Sequence, residues 1–277
     1  MSSANESQLS YTSLGVNSDT EPYLSCSALG VNFVDEPVER CIDIVSEGGL
    51  LVVPSGPGLA RIDKDEFYRE AVQGAAFALA DSGYMVLLLR LFKRRSLHRI
   101  SGLRFIDALL NHEGFKNDAS TMWVMPNELE VLPTKAVLSE RGVTFSDDGF
   151  VIAPMYPHEG RVEDPQLLAE IEAKRPRWVI LNVAGGKQEK LGYYLTTNLS
   201  YKPTIVCTGA AIAFLSGEQA HIPVWADRLY LGWLFRIMQS PRLYTQRYLE
   251  ASTLIRKIAF NRNLNVSRSY RSYLVKT

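Results

Sequence analysis

The chain has 277 residues, of which 46% are hydrophobic, and its 30 Lys and Arg balance its 30 Asp and Glu. It is long enough to bury one large core or two small ones, and its zero net charge gives no reason to expect a nucleic-acid partner. The three cysteines, Cys26, Cys41 and Cys207, lack the spacing of a metal site or a disulfide framework, which suits a reducing compartment. No apolar run approaches the roughly 20 residues of a membrane span, and the polar N-terminus lacks the hydrophobic region of an export signal.

The charge is distributed unevenly along the chain. Residues 242–277 contain eight Lys and Arg and one acid, which gives +7, so the preceding 241 residues carry −7. A basic, amphipathic end on an acidic body is typical of docking on an anionic membrane surface, while a solvated tail or an oligomer contact fits the same charges. We predict three segments: a flexible tail over 1–26, an α/β domain over 27–240 and a basic helical membrane-docking segment over 241–277.

The first predicted elements lead to a glycine turn. A strand near Leu29 and a helix over 37–46 precede an apolar run over 49–54, which is typical of a buried parallel strand. That run opens into Ser-Gly-Pro-Gly around Gly56, followed by a predicted helix over about 64–80. Such a turn can bring backbone N–H groups and a helix N-terminus to a phosphate, although the third glycine of the dinucleotide fingerprint is missing.

Two acidic motifs follow this turn. Asp63-Lys64-Asp65 has the D-x-D form that can hold a divalent ion on a diphosphate, but Asp63 with Glu66 also forms a capping box for the next helix, and we favour the cap. Asp81 lies at the end of the apolar run 77–80. A partly desolvated carboxylate there can act as a general base, whereas a turn or a helix cap is the alternative.

The middle of the chain repeats the strand–turn–helix pattern. A predicted strand over 121–127 ends at Asn127, which can bind a polar ligand or cap the next helix, and we weigh these equally. A strand over 150–156 and a helix over 165–174 follow. The clearest buried strand, 177–183, ends in Ala-Gly-Gly-Lys-Gln-Glu-Lys, where glycines allow close backbone approach and the next helix offers N–H donors.

The last predicted strand ends in Thr-Gly-Ala-Ala around Gly209, a small-residue corner that a ligand can approach. After Pro223 an apolar helical face recurs at three- and four-residue steps through Met238, and a second helical run covers 244–260. Alternating strands and helices predict a mostly parallel, Rossmann-like sheet with helices on both faces and a C-terminal amphipathic helical appendage. Ligands in such sheets bind at the carboxyl ends of the strands, where this interpretation puts Gly56, Asp81, Asn127, Gln188 and Gly209.

The order of motifs near the end resembles the WecG/TagA/CpsF family, glycosyltransferase family 26, and the resemblance extends from about Leu29 to Tyr248. Its residues are Phe214-Leu215-Ser216-Gly217, Pro223-x-Trp225, Gly232-Trp233-Leu234-Phe235-Arg236, Pro241-Arg242 and Arg247-Tyr248. Members transfer a sugar from a UDP donor to a polyprenyl-diphosphate-linked acceptor in bacterial envelope polysaccharide synthesis. The resemblance therefore implies an inverting enzyme without a cofactor or metal, working at the inner face of the plasma membrane as a peripheral protein.

The resemblance also assigns roles to residues. Asp81 matches the aspartate proposed to deprotonate the acceptor, and Arg99 in Arg99-x-x-Gly102 matches an arginine near the leaving diphosphate. Donor binding is implied for Gly56, Asn127, Gly185, Lys187, Gln188, Glu189 and Gly209. Arg236, Arg242 and Arg247 are expected to hold the acceptor diphosphate or the membrane.

Several positions depart from the family pattern. Pro54 and Gly56 replace a Thr-x-Asn pair, Ala213 replaces an aspartate and His221 replaces an arginine. The chain is therefore expected to be a divergent member, so the sugar, the linkage and the acceptor stay open, as does assembly into a homo-oligomer. The loss of polar pocket residues makes a non-catalytic scaffold that binds nucleotide-sugar or glycan the alternative interpretation.

Overall fold

The computed structural model describes residues 22–94, 96–215 and 252–260 with their side chains, and residues 268–271 by their backbone. Nine strands in these residues form one sheet. They are β1 Tyr23–Ala28, β2 Val31–Val34, β3 Gly49–Val52, β4 Phe77–Ala78, β5 Thr121–Met125, β6 Phe150–Ile152, β7 Trp178–Leu181, β8 Thr204–Cys207 and β9 Arg268–Arg271.

Helices connect most of these strands. In the same residues they are α1 Val38–Val45, α2 Gly56–Ala60, α3 Glu66–Gly74, α4 Gly83–Lys93, α5 Gly102–Asn111, α6 Glu113–Lys116, α7 Val131–Glu140, α8 Pro165–Lys174, α9 Lys187–Asn198, α10 Ala211–Leu215 and α11 Thr253–Phe260. The helices predicted near 37–46 and 165–174 are confirmed.

The strand order is β6-β5-β7-β8-β3-β4-β2-β1-β9. All pairs from β6 to β2 are parallel, and only β1 runs against its neighbours β2 and β9. This confirms the predicted α/β fold. Because parallel strands share one direction, the loops that follow β3, β4, β5, β7 and β8 all emerge at one edge of the sheet, called the carboxyl edge below.

Hydrophobic side chains cover both faces of the sheet. In β3, Leu50 and Val52 belong to one buried cluster while Leu51 belongs to the other, as the alternation of side chains in a strand requires. The first cluster includes Val72 of α3, Met85 of α4 and Leu191 of α9. The second includes Ile42 of α1, Phe105 of α5 and Leu138 of α7.

Short polar residues fix where several helices begin. Ser55, Ser82 and Ser101 accept a hydrogen bond from the backbone N–H three residues later, at the starts of α2, α4 and α5. Each bond satisfies one of the N–H groups that a helix N-terminus leaves without a partner. Two of these caps, Ser55 and Ser82, lie in the short loops that follow β3 and β4, so the N-termini of α2 and α4 lie at the carboxyl edge.

Three predicted boundaries are wrong. Residues 23–26 belong to β1 and not to the predicted flexible tail, because β1 buries Tyr23 and Cys26 and pairs with the distant β9. The remainder of the predicted tail, 1–21, lies outside the described residues. The helix predicted over 64–80 ends at Gly74, and Phe77–Ala78 form β4 instead. The C-terminal segment is not wholly helical, since β9 is a strand.

None of the helices in the described residues combines the length and the apolar character needed to cross a bilayer.

Candidate active site

Asp81 and Arg99 lie together at the carboxyl edge. Asp81 follows β4 by three residues, and the Nε–H of Arg99 donates to its carbonyl oxygen at 2.9 Å. Arg99 also pairs with Ala80 in an isolated parallel bridge, and the N–H of Ile100 donates to the oxygen of Ala80. The segment around Arg99 thus extends the sheet beyond β4 and holds a guanidinium beside the backbone of Asp81.

The loop after β3 touches the loop after β4. Gly56, the first residue of α2, is buried, and a Cβ added there would lie 2.8 Å from the Oγ of Ser82. Ser82 follows Asp81 directly and caps α4. Gly56 therefore allows this close approach, and its missing side chain leaves no donor or acceptor of its own beyond the backbone.

The loops after β7 and β8 are joined through Gln188. Its Oε1 accepts the N–H of Gly209 at 2.7 Å, and Gly209 has a left-handed φ of 61°. The sulfhydryl of Cys207 donates to the Gln188 carbonyl oxygen at 3.3 Å. Gln188 is buried and its side chain fastens the two loops to each other, while its role in reading the donor stays a prediction.

Glu189 holds the glycine turn that begins α9. Its Oε2 accepts the N–H of Gly186 at 2.6 Å, and its Oε1 accepts a weaker bond from Nε2 of Gln188 at 3.4 Å. Gly186 has a φ of 88°, a conformation that favours glycine. Burial raises the pKa of the Glu189 carboxyl, although these hydrogen bonds and nearby Lys190 oppose that shift.

Further buried polar groups lie beneath this turn. The Lys190 ammonium contacts Oδ2 of Asp65 at 2.7 Å, which ties α9 to the start of α3. The Tyr68 hydroxyl is buried without a hydrogen-bond partner among the described residues. Burial, with a further contribution from the Glu189 charge, raises the pKa of both Tyr68 and Cys207. The thiol and the phenol are therefore neutral, and neither is set up as a nucleophile.

Lys187 and Gly185 give this turn the features of an anion site. Lys187 is only 8% exposed, and no hydrogen bond or ion pair engages its ammonium in the described part of the chain. A Cβ added at Gly185 would meet nothing within 4 Å, so the backbone there is open to close approach. A cation and accessible backbone at a helix N-terminus are the elements of a phosphate-binding site.

Asn127 has a different environment from the other candidates. Its Oδ1 accepts the N–H of Glu130 at 3.2 Å, and its Nδ2 donates to the carboxylate of Glu130 at 3.4 Å. The residue is exposed, and no hydrogen bond joins it to the other loops that the structure describes. Of the two roles considered for Asn127, the geometry shows the cap.

The D-x-D motif is occupied by structural contacts. Asp65 caps α3 through the N–H of Tyr68 and binds Lys190, while Asp63 pairs with Lys257 of α11. The prediction that Asp63 caps this helix is therefore wrong by two residues. Among the described residues no group of three or more His, Cys, Asp or Glu could hold a metal ion.

Two polar residues at this edge were not predicted as site residues from the sequence. Asn182 follows β7 and Thr208 follows β8, and Oδ1 of Asn182 and Oγ1 of Thr208 are buried without a partner in the described structure. A Cβ on Gly102 of α5 would lie 3.3 Å from the Thr208 carbonyl oxygen, so α5 also begins at this point. The feature of the sequence that could have identified them is a polar residue directly after an apolar strand.

The remaining predicted residues fall outside this description. Arg236, Arg242, Arg247 and His221 lie in the part of the chain that the structure does not describe. Ala213 is described and is buried in α10.

The parallel sheet, the glycine turns and the convergence of polar groups at its carboxyl edge define an α/β protein with a candidate ligand site at that edge. The chain matches the glycosyl transferase WecG/TagA/CpsF family over residues 26–268 and belongs to that family. It is thus a glycosyltransferase of this group. A comparison with curated proteins finds no match to the chain.

Proposed function

We propose that the chain transfers a sugar from a UDP-sugar to a polyprenyl-diphosphate-linked saccharide, with inversion at the anomeric carbon. The observation that supports the proposal is the hydrogen bond from Arg99 to the backbone carbonyl oxygen of Asp81, which ties a permanent cation to the residue that carries the candidate base at the carboxyl edge. Transfer needs these two groups: a base for the acceptor hydroxyl and positive charge for the departing diphosphate.

The proposed reaction is a single displacement. The Asp81 carboxylate takes the proton of the acceptor hydroxyl as the oxygen attacks the anomeric carbon from the face opposite the diphosphate. The bond between the sugar and the diphosphate breaks, and its electron pair stays on the UDP oxygen. Arg99 stabilises the charge that develops there, and Lys187 with the open backbone at Gly185 binds the same diphosphate or its nucleotide.

The departures from the family pattern have a partial structural account. Gly56 stands where the family has a polar side chain, and the space that such a side chain would enter is taken by Ser82. Thr208 and Asn182 supply buried polar atoms without partners at the neighbouring strand ends. We expect these two residues to make donor contacts in place of the missing ones, which leaves the sugar open to differ from that of other members.

An apolar and basic surface formed by α4 and α11 supports the proposed membrane site. Leu87, Leu91 and Phe92 of α4 are exposed, and so are Ile255 and Phe260 of α11, which packs against α4. Ser252, Ile255, Arg256 and Phe260 line a depression beside α11. Because only the cap residue Ser82 separates Asp81 from α4, a bilayer at this surface would bring a lipid-linked acceptor close to the candidate base.

The substitution Asp81→Asn tests the proposal. Removing a positioned base is expected to lower kcat by about 10²–10⁴-fold while UDP still binds, because the amide keeps the shape but cannot take the proton. Release of UDP is measured with a panel of UDP-sugars and a bacterial lipid extract, and UDP binding is measured by calorimetry.

Asp43→Asn is the matched control, since Asp43 is an exposed carboxylate near the end of α1 that contacts His112. Equal turnover of the Asp81 and Asp43 variants would remove Asp81 from the mechanism. A wild-type chain that binds UDP-sugar and lipid-linked glycan without releasing UDP would favour the scaffold alternative.

A further inference from the structure

Asp35 and His98 form a tight pair at the end of β2. Asp35 follows β2 directly, and its side chain is fully buried at 0% exposure. One oxygen, Oδ1, lies 2.8 Å from the backbone nitrogen of His98 and 2.8 Å from its ring Nδ1. Two bonds to the same residue fix both the backbone and the orientation of the imidazole.

The register of the sheet places this pair near Asp81. Phe33 of β2 pairs with Ala78 of β4, and counting two residues along both parallel strands puts Asp35 level with Ala80. His98 immediately precedes Arg99, which pairs with Ala80 and donates to the carbonyl oxygen of Asp81. The imidazole is therefore held at the same end of the sheet as the candidate catalytic residues.

The pairing leaves one ring nitrogen for other chemistry. A carboxylate only accepts hydrogen bonds, so Nδ1 carries the hydrogen that it shares with Asp35, and Nε2 is left over. The His98 side chain is 59% exposed, and nothing in the described residues binds Nε2. When Nε2 also carries a proton, the ring offers a charge-assisted N–H donor in a fixed direction.

We infer that His98 is a diphosphate-binding residue that acts beside Arg99, and that Asp35 is its positioning residue. This inference rests on the proposed function, because the diphosphate is that of the UDP donor or of the lipid-linked acceptor. The arrangement places an imidazole and a guanidinium on adjacent residues of one backbone segment. Asp35 keeps that segment in place and keeps Nδ1 occupied, so that Nε2 is the nitrogen presented to phosphate oxygens.

Imidazole ¹⁵N NMR tests the inference without relying on turnover. The His98 signals, assigned by their loss in His98→Gln, are followed as inorganic pyrophosphate, UDP or geranyl diphosphate is added. We expect the Nε2 signal of His98 to shift with pyrophosphate and with at least one of the other two probes. A shift with UDP assigns the site to the diphosphate of the donor, and a shift with geranyl diphosphate assigns it to that of the acceptor. His112, whose Nε2 lies 3.3 Å from Asp43, is the matched reference because it follows the far end of α5.

Two substitutions give the expected size of the effect. His98→Gln should raise the Kd for pyrophosphate about tenfold, as loss of a charge-assisted hydrogen bond does, while His112→Gln should leave it unchanged. Asp35→Asn keeps the shape of the side chain but removes its charge. It should move the His98 ring signals in the free protein and weaken pyrophosphate binding by a smaller factor.

The outcomes separate this inference from the proposed function. If UDP binds and the His98 signals stay fixed with all three probes, the inference is overturned and the transferase proposal stands. A second outcome is that UDP neither binds nor is released, yet pyrophosphate shifts the His98 ring signals and its Kd rises in His98→Gln. The diphosphate site is then supported, and the proposal that UDP-sugar is the donor is rejected. Pyrophosphate binding that is equally tight in His98→Gln and the wild type also overturns the inference.

Discussion

The polar residues at the carboxyl edge fall into two groups. Gln188 and Asn127 satisfy their acceptor oxygens with backbone N–H groups, so their visible role is to hold loops in place. Lys187, Thr208 and Asn182 have polar atoms that the described residues leave without a partner. Because a buried polar group without a hydrogen bond is costly, the second group is where a ligand has most to contribute.

At this scale, the buried carboxyl of Glu189 predicts that the free energy of unfolding depends on pH. Burial raises the pKa of its carboxyl, so in the folded state it binds a proton more readily than in the unfolded chain. From the unfolded pKa, about 4.3, up to the higher folded pKa, the folded state holds more protons, and stability falls as pH rises through that window. Glu189→Gln should remove this dependence, since its amide oxygen can still accept the N–H of Gly186.

Urea unfolding between pH 4 and 8 measures the effect. The free energy of unfolding of the wild type relative to Glu189→Gln should decrease as pH rises and then level off. Glu47→Gln, at an exposed position, controls for the loss of one carboxylate. A difference between wild type and Glu189→Gln that grows with pH would contradict the assignment.

At the scale of elements, local sequence patterns predicted the strands that are apolar runs between turns. They missed the strands that are defined by pairing with distant residues. The buried runs of β3, β5, β7 and β8 are apolar segments between turns, and their positions were predicted. By contrast, β4 has two residues and continues the apolar pattern of α3, so only its pairing with β2 and β3 identifies it. β1 depends on β9, more than 200 residues later, which no local period reveals.

The site was predicted in the same uneven way. Strand ends followed by glycine or by a lone carboxylate indicated the loops around Gly56, Asp81 and Gly209. Which side chains fasten the loops and which are left for a ligand depends on contacts between loops, such as the one from Gln188 to Gly209. The pairing of Asp35 with His98, 63 residues apart, needed the register of β2 beside β4.

The ion pair between Lys190 and Asp65 gives a prediction for the packing of α9 on α3. The Lys190 side chain is 2% exposed and that of Asp65 is 32% exposed. Breaking a buried pair costs about 3–5 kcal/mol and an exposed one about 0–1 kcal/mol. Because water still reaches Asp65, Lys190→Met should lower the free energy of unfolding by an intermediate amount, about 2 kcal/mol.

Denaturant unfolding with a double variant checks the cause. Lys190→Met combined with Asp65→Asn should recover part of the loss, because Asn keeps the cap on Tyr68 while removing the charge left without a partner. Lys135→Met is the control, since Lys135 pairs with Asp147 at the surface. If the Lys190 and Lys135 variants lose equal stability, the buried pair does not join the two helices.

At the scale of the whole molecule, the exposed apolar side chains of α4 and α11 lie beside two basic residues of α11. The +7 charge of residues 242–277 includes Arg256 and Lys257 of α11, which packs on α4 and α2. α2 begins at Gly56 and α4 follows Asp81, so the helices that carry this surface start from the site itself. A protein that acts on a lipid-linked acceptor gains from such an arrangement, because the bound membrane then concentrates its substrate.

Leu91 and Leu132 allow this proposal to be tested with a matched pair. Both are exposed leucines on helices, at 68% and 76%, but Leu91 lies on α4 and Leu132 on α7, at the other end of the sheet. If α4 enters the interface of an anionic bilayer, Leu91→Asn loses the apolar contribution of one side chain, about 1.5–3 kcal/mol when fully buried. Partial insertion makes a fivefold to tenfold weaker partition the expected result, whereas Leu132→Asn should partition like the wild type.

Sedimentation with vesicles of phosphatidylglycerol and phosphatidylcholine measures this partition. Raising the salt from 20 mM to about 500 mM should weaken binding of all three proteins, because screening removes the attraction between the basic residues and the anionic lipid. The ratio between wild type and Leu91→Asn should persist at high salt, since burial of a leucine does not depend on screening. Equal partition of the two leucine variants would mean that α4 does not contact the membrane. If binding at high salt disappears for the wild type and for Leu91→Asn alike, the contact depends on charge alone.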